Sequence, residues 1–280
     1  MTSASDWTGR VGTVWAAEWV RTDRTLAGVS EPLDRAILAA APAGPFAALD
    51  IGCGAGRTSL SLAHHRPDAT VTGIDLSGEL VAVARSRGAG LPKLSFMVGD
   101  ATEGAATHAA AHGRFDLLVS RHGVMFFDDP VASFTALRAA AADGARLVFS
   151  CFRTPDENAW AQALLTAVER TSGPMSATPP PGPFAFADPA QVTRILGAAG
   201  WRAEPPHAID VPYRIGVGDD PVADALDFAQ RIGPAAGPLR AATPEQRARW
   251  LDRLRTAFER QRVGDAIDFP AAAWIWSATA

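Results

Sequence analysis

The feature that most limits what this chain can fold into is a run of three alternating glycines behind a short apolar segment. Residues 46–51 form the segment, and Gly52, Gly54 and Gly56 follow it, ahead of a helical pattern at 57–65. Glycines placed in this way let the backbone turn sharply and let a ligand approach without meeting a Cβ atom. The pattern predicts a buried parallel strand, a tight turn that binds a ligand, and a helix.

Apolar segments and helical patterns continue to alternate as far as residue 152. Further strands are predicted at 71–74, 94–98, 115–120 and 145–152, with helices between them. This order favours right-handed βαβ units, and therefore a doubly wound α/β fold with a mostly parallel sheet and helices on both faces. Later in the chain we expect helices at 158–171 and 189–199, a strand at 201–211, two helices within 220–262, and last strand segments at 266–269 and 272–277.

The chain divides by pattern into four regions. Residues 1–45 are expected to form a helical segment over the ligand, in which Ser30 caps a helix with Pro32 in its first turn. Residues 46–152 form the α/β core that binds the ligand. Residues 153–188 are an insertion expected to act as a lid, with an irregular loop at 173–183. Residues 189–280 complete the core and carry a helical insertion at 220–262.

Charge and composition argue against several classes of function. The net charge is −4, so no basic field covers the surface, and nucleic acid is not an expected partner. We find no secretory signal and no apolar run long enough to span a bilayer, so neither a membrane association nor export is expected. Cys53 and Cys151 form no disulfide framework, which fits a cytoplasmic protein. Asp129 before Pro130 is typical of a helix cap, and no metal site is expected.

Three acidic residues sharpen the identity of the ligand. Asp50 precedes the glycines by two positions, Asp75 ends the second strand, and Asp100 follows the third. A dinucleotide fingerprint would need a glycine at Arg57, and a carboxylate at Asp50 would repel a pyrophosphate. The same carboxylate suits a ligand that carries an ammonium and a sulfonium. Asp75 can accept hydrogen bonds from a ribose diol, and Asp100 from an adenine amino group.

With these residues in place, the chain resembles the class I S-adenosylmethionine-dependent methyltransferases, in particular small-molecule enzymes similar to those of quinone biosynthesis. The resemblance covers about residues 46–152. It implies a seven-stranded sheet whose last strand is antiparallel, and S-adenosylmethionine as cofactor. It also implies a set of cofactor-binding residues: Asp50, Gly52, Cys53, Gly54, Gly56, Asp75, Leu76, Gly99, Asp100, Ala101, Ser120, Arg121 and, from the N-terminal segment, Trp15.

Methyl transfer from a sulfonium is an in-line displacement, so the protein chiefly aligns the acceptor and excludes water. An oxygen acceptor that carries a proton also needs a base, and His122, just beyond the fourth strand, is our candidate. A packing role for His122 stays open. Residues that could wall the acceptor pocket are Met125, Phe126, Trp160, Phe184 and Tyr213.

The sequence leaves rival functions open. We expect a methyltransferase acting on a small-molecule acceptor. The alternatives are an enzyme that binds the cofactor without transferring its methyl group, and a binding module that senses the cofactor. A nicotinamide oxidoreductase is disfavoured by Asp50 and Arg57. The acceptor, the choice of oxygen, nitrogen or carbon, and the oligomeric state cannot be predicted from the sequence.

Overall fold

The computed structural model describes residues 4–171 and 179–280, and a mostly parallel sheet lies at its centre. The strands follow the order β3-β2-β1-β4-β5-β9-β6, with β7 and β8 also paired to β9. Strands β1 to β5 are parallel, whereas β9 runs antiparallel to β5. Their bounds are Ala47–Ile51, Thr70–Asp75, Leu94–Val98, Phe115–Arg121, Ala141–Phe152, Arg202–Ala203, His207–Val217, Arg262–Val263 and Ala266–Thr279, for β1 to β9.

The doubly wound α/β fold and the antiparallel last strand are therefore confirmed, but the sheet has nine strands in the described part of the chain rather than seven. One reason is that the strand predicted at 201–211 is interrupted at residues 204–206, where two prolines withhold the backbone donors a ladder needs. β6 and β7 pair with successive parts of β9. The other reason is the two-residue strand β8, which turns back onto β9 at Gly264.

Helices cover both faces of the sheet. On one face Val29, Leu33 and Ile37 pack with Leu62 against β1, β2 and β4. On the other, Phe134 and Leu137 pack among a larger cluster that reaches the C-terminal helices. The helices α1 to α13 are Ala4–Trp7, Arg10–Ala17, Trp19–Thr25, Ala27–Ala40, Arg57–His65, Gly78–Arg87, Ala101–His112, Pro130–Ala140, Ala159–Ala167, Pro189–Ala198, Pro221–Arg231, Ala236–Ala241 and Pro244–Gln261.

Local sequence signals explain most of these boundaries. Ser77, Asp129 and Thr243 cap α6, α8 and α13 through their side-chain oxygens, which confirms the cap predicted at Asp129. The prediction for Ser30 was wrong. The helix α4 begins three residues earlier, at Ala27, and the Ser30 hydroxyl donates to Leu26 O inside the helix.

Two further predictions differ from the structure. The region 220–262 holds three helices instead of two, because the segment 232–235 separates α11 from the short helix α12. The expected irregular loop at 173–183 lies partly outside the described residues, which omit 172–178. Within the described ranges, no helix is long and apolar enough to cross a membrane, and no group of three or more His, Cys, Asp or Glu residues is placed to hold a metal ion.

Candidate functional site

A cavity of about 1000 Å³ opens at the carboxyl ends of β1, β2 and β4. Doubly wound folds bind ligands at this edge, because the loops that follow the strands converge there. Helices α2 and α3 of the N-terminal segment form one wall, and the insertion after β5 forms another. The cavity therefore extends from the glycine-rich turn to a chamber walled by aromatic side chains.

The glycine turn at 52–56 is held in place by its backbone. Cys53 N donates to Ile74 O at 3.0 Å, and Gly54 N donates to Asp75 Oδ2 at 2.8 Å. Gly54 has φ of 53°, and a Cβ built on it would meet no atom within 4 Å. Since Gly54 lines the cavity, any side chain there would extend into it. The turn thus presents bare backbone to a ligand, as the sequence predicts.

Asp50 is a buried carboxylate on the cavity wall. Its Oδ2 accepts a hydrogen bond from Ser59 Oγ at 2.5 Å, while Oδ1 is buried without a partner. Burial raises the pKa of Asp50 to about 7, against the opposing effects of the Ser59 hydrogen bond and the Arg121 charge. A buried carboxylate with an unused oxygen favours a cationic ligand group, which would restore the lost solvation.

Asp75 and Asp100 lie at the ends of the next two strands, and both line the cavity. Asp75 Oδ1 accepts from Ser77 N at 2.9 Å, so each carboxylate oxygen of Asp75 already accepts one backbone hydrogen bond. Burial raises the pKa of Asp75. Asp100 caps α7 through Oδ1, which accepts from Thr102 N at 2.8 Å and from the Thr102 hydroxyl. Each carboxylate keeps lone pairs for a ligand. The predicted residues Leu76, Gly99 and Ala101 lie on the wall beside them.

Two predicted cofactor residues, Gly56 and Ser120, do not line the cavity. Gly56 is the N-cap residue of α5, and a Cβ there would lie 3.0 Å from Ala84 and Phe96. Ser120 is buried below the turn, where its hydroxyl donates to Ile51 O at 2.7 Å and accepts from Gly123 N. Both residues therefore support the backbone of the turn from the side that faces away from the cavity.

His122 lines the cavity, but its surroundings differ from those of a histidine in water. Its Nδ1 lies 2.7 Å from Ser150 Oγ, and its ring meets the Phe152 ring edge-on at 4.3 Å. Nε2 is buried and has no partner. Burial, helped by the Arg121 charge, lowers the pKa of His122 to about 3. The imidazole is therefore neutral at physiological pH and a weaker base than the sequence suggested.

The aromatic chamber lies beyond His122. We define it by Phe152, Trp160, Phe184 and Tyr213. Trp160 stacks on Tyr213 with ring centroids 4.6 Å apart, and Phe184 stacks on Trp160 at 6.1 Å. Asn158 positions this group. Its side-chain amide donates to Ala272 O on β9, and its Oδ1 accepts from Ala272 N and from Trp160 Nε1.

A second aromatic group combines Trp7 and Trp15 of the N-terminal segment with Phe126, which follows β4. The Trp7 ring meets Trp15 at 5.4 Å and Phe126 at 5.3 Å, edge to face in both pairs. Met125 and Phe126, two of the candidates for the acceptor pocket, line the cavity. Sequence reasoning missed residues that act across the fold: Asp23, Arg87, Phe152, Phe228 and Arg231. No local motif marks them, since their partners are distant in the chain.

Known methyltransferases are similar to this chain in sequence. Residues 48–144 match a family described as a methyltransferase domain. The chain is 29% identical over 77% of its length to a trans-aconitate 2-methyltransferase of Methylobacterium radiotolerans, covering 78% of that protein. It is 30% identical to a malonyl-[acyl-carrier protein] O-methyltransferase of Halalkalibacterium halodurans, over 39% of the chain and 40% of that protein.

Solved structures share the fold at lower identity. The [4+2]-cyclase SpnF superposes with a TM-score of 0.58 at 17% identity, over 99% of this chain and 96% of that chain. The likeness concerns the fold alone. The family match spans the glycine turn, Asp75 and Asp100, and these residues lie together on one cavity wall. Residues 48–144 therefore carry a methyltransferase domain, and the similarities support a class I S-adenosylmethionine-dependent methyltransferase.

Proposed function

We propose that the protein transfers a methyl group from S-adenosylmethionine to a small organic acid held in the aromatic chamber. The observation that carries the proposal is the continuity of the cavity, whose wall runs from the glycine turn and Asp75 to Trp160 and Tyr213. A cofactor and an acceptor can therefore meet inside one enclosed space.

The cofactor end of the cavity fits S-adenosylmethionine. Asp50 has a buried oxygen without a partner, which suits the methionine ammonium. Asp75 suits the ribose hydroxyls, and Asp100 with Gly99 and Ala101 suits the adenine. Arg121 lines the cavity too, but its guanidinium bonds Asp23 and Ser30, so its role is to fix the end of β4. Trp15 and the other N-terminal aromatic rings would shield the sulfonium from water.

Bound S-adenosylmethionine supplies both the electrophilic methyl group and its leaving group, so the protein need not generate either. The chain's own residues align the acceptor and exclude water. The stacked rings of Trp160, Phe184 and Tyr213 present apolar faces that restrict a small acceptor to few orientations. Orientation of this kind contributes roughly 7–11 kcal/mol in favourable cases.

The acceptor atom we favour is a carboxylate oxygen. His122 and Tyr213 are titratable side chains at the chamber, and neither titrates near neutral pH: burial lowers the pKa of His122 to about 3 and raises that of Tyr213 to about 12. A carboxylate needs no base, since it is already an anion at neutral pH. The acceptors named for the two relatives, trans-aconitate and a malonyl group, carry carboxylates. Arg240 lines the cavity and would attract an anion, whereas Arg231 on the same wall is paired with Glu18 and Asp227.

The role of His122 separates carboxylate methylation from chemistry that needs a base. If the acceptor is a carboxylate, we expect His122→Ala to change the rate of methyl transfer by less than about tenfold and to leave its pH dependence unchanged. A general base would instead contribute about 10²–10⁴-fold. Single-turnover rates between pH 5 and 9 measure this. A loss of 10²-fold or more, with the acid limb of the profile abolished, would restore the base role and contradict the carboxylate proposal.

The acceptor can be found directly. Purified protein is incubated with S-adenosylmethionine and a fractionated metabolite extract, and products are searched for the mass gain of one methylene group. We expect S-adenosylhomocysteine to accumulate together with a product whose new methyl group is released by mild alkali, as an ester requires. A product stable to alkali would contradict carboxylate methylation while leaving methyl transfer intact.

The alternative is a protein that binds the cofactor without using its methyl group. The [4+2]-cyclase that shares the fold gives this alternative a concrete form, because the fold alone does not determine the reaction. Turnover of an acceptor without formation of S-adenosylhomocysteine would favour it. We also infer a cytoplasmic location, which the two unpaired and buried thiols of Cys53 and Cys151 support.

A further inference from the structure

Asp23 of α3 lies where separate parts of the cofactor end of the cavity meet. Its Oδ1 lies 2.6 Å from Nη2 of Arg121, at the end of β4, and its Oδ2 lies 3.0 Å from Nη1 of Arg87, at the end of α6. All three side chains are largely buried, with 20% or less of each exposed. One carboxylate thus balances two buried guanidinium groups that belong to different elements of the core.

Arg87 continues this connection to the glycine turn. Its Nη1 also donates a hydrogen bond to Ala55 O at 2.7 Å, and its guanidinium carbon lies 4.0 Å above the Trp19 ring. Arg87 is not one of the residues that line the cavity, whereas Ala55, Trp19 and Asp23 are. Arg87 therefore supports the turn from behind, and its own position depends on Asp23 and Trp19.

The opposite side of α3 connects to the acceptor end of the cavity, by which we mean the end that holds the aromatic chamber. Arg21 and Arg24 pair with Asp224 of α11 at 3.1 and 2.8 Å, and Arg24 also donates to Ile215 O at 2.8 Å. Phe228, on α11, lines the cavity. The helix α3 consequently bridges the two ends of the cavity through ion pairs made on both its sides.

We propose that Asp23 is a positioning residue, which sets the spacing between the glycine turn and the end of β4 that the cofactor requires. The proposal rests on the proposed function, because it assigns S-adenosylmethionine to this end of the cavity. Removing the Asp23 carboxylate leaves Arg87 and Arg121 without their shared counter-charge, so each guanidinium group would move to pair with another group. The turn loses its fixed support at Ala55, and the site must be ordered by the ligand itself, at a cost in affinity.

The test measures binding of S-adenosylhomocysteine to the full chain by calorimetry. We expect Asp23→Asn to weaken binding by about 10- to 100-fold, as the loss of a charged buried contact does. We expect Arg87→Met, which keeps the packing on Trp19, to weaken binding by a similar factor. Because Asp23 and Arg87 act through one contact, the double variant should weaken binding by far less than the product of the two single effects.

Asp34→Asn is the matched control. Asp34 lies on α4, pairs with Arg57 at 3.1 Å, has the same 16% side-chain exposure as Asp23, and does not line this cavity. We expect its affinity to stay within about twofold of the wild type, because neither Asp34 nor Arg57 lines the cavity. Thermal unfolding of both variants shows whether they lose stability to the same extent.

Conservative rescue separates positioning from a general loss of stability. Asp23→Glu keeps the charge and should recover at least part of the affinity that Asp23→Asn loses. If Asp23→Asn does not fold, Arg87→Met and Asp23→Glu carry the test. An Arg87→Met protein that binds S-adenosylhomocysteine as tightly as the wild type would overturn the proposal, as would a fully additive double variant. A wild-type chain that does not bind this ligand would instead contradict the proposed function.

Discussion

Gly54→Leu should abolish cofactor binding in a protein that still folds. The side chain would extend into open space, since no atom lies within 4 Å of a Cβ at this position and Gly54 lines the cavity. A leucine there occupies volume that the cofactor needs, and we expect a loss of about 10²-fold or more in affinity. Calorimetry with S-adenosylmethionine and S-adenosylhomocysteine measures it.

The control for backbone strain is Gly90→Leu. Gly54 and Gly90 both have positive φ, 53° and 92°, and neither would place a Cβ within 4 Å of another atom. A leucine in this region of backbone space costs about 1–2 kcal/mol at either position. Gly90 is exposed and does not line the cavity, so Gly90→Leu should lose stability but keep its affinity. Equal binding losses in the two variants would assign the effect to strain and contradict a steric block.

Cofactor binding should depend on pH through Asp50, which is the second large effect we expect. Burial raises the pKa of Asp50 to about 7 in the protein without ligand. A cationic ligand favours the ionised carboxylate, so binding lowers this pKa and releases a proton. Affinity should therefore be full above pH 7 and should fall as the pH drops through 7 toward 5.

Asp50→Asn should remove that dependence. An amide cannot ionise, and we expect the variant to bind about 10²-fold more weakly than the wild type at pH 8, with the difference shrinking toward pH 5. Titrations in buffers of different ionisation enthalpy would also show the released proton in the wild type alone. A wild-type affinity that is constant from pH 5 to 8 would exclude Asp50 as the partner of the cationic group.

The same pKa predicts the effect of pH on the stability of the ligand-free protein. Because the pKa of folded Asp50 lies above that of an unfolded aspartate, protonation favours the folded state. This contribution is complete below the unfolded pKa and is lost as the pH rises through about 7. Asp50→Asn should therefore unfold at a higher temperature than the wild type at pH 8, without ligand, and the advantage should disappear at acid pH.

The cofactor end of the site was predictable because local patterns encode it. The three glycines, Asp75 and Asp100 stand at the ends of successive parallel strands, and a doubly wound sheet brings such ends to one edge. The helix boundary at Asp129 followed from capping chemistry in the same way. Each of these signals depends on neighbours within a few residues.

The other features of the site could not be predicted from the sequence, because they depend on contacts between residues that are distant in the chain. Asp23 pairs with Arg121, which lies 98 positions further along the chain, and no pattern near Asp23 predicts the pair. The low pKa of His122 comes from burial under Phe152, which belongs to another strand. The resemblance implies that Ser120, near the end of β4, is a cofactor-binding residue, but its hydroxyl donates to Ile51 O and the residue does not line the cavity. Tertiary packing decided each of these outcomes.

The measurement that tests the central claim most directly is a comparison of ligands on the wild-type protein. Calorimetry with S-adenosylmethionine, S-adenosylhomocysteine and NAD reports which nucleoside the glycine turn accepts. The account predicts that both adenosyl ligands bind and that NAD gives no comparable response, because the Asp50 carboxylate on the cavity wall would repel a pyrophosphate and Arg57 replaces the third glycine of a dinucleotide fingerprint. Binding of NAD with no response to either adenosyl ligand would contradict it.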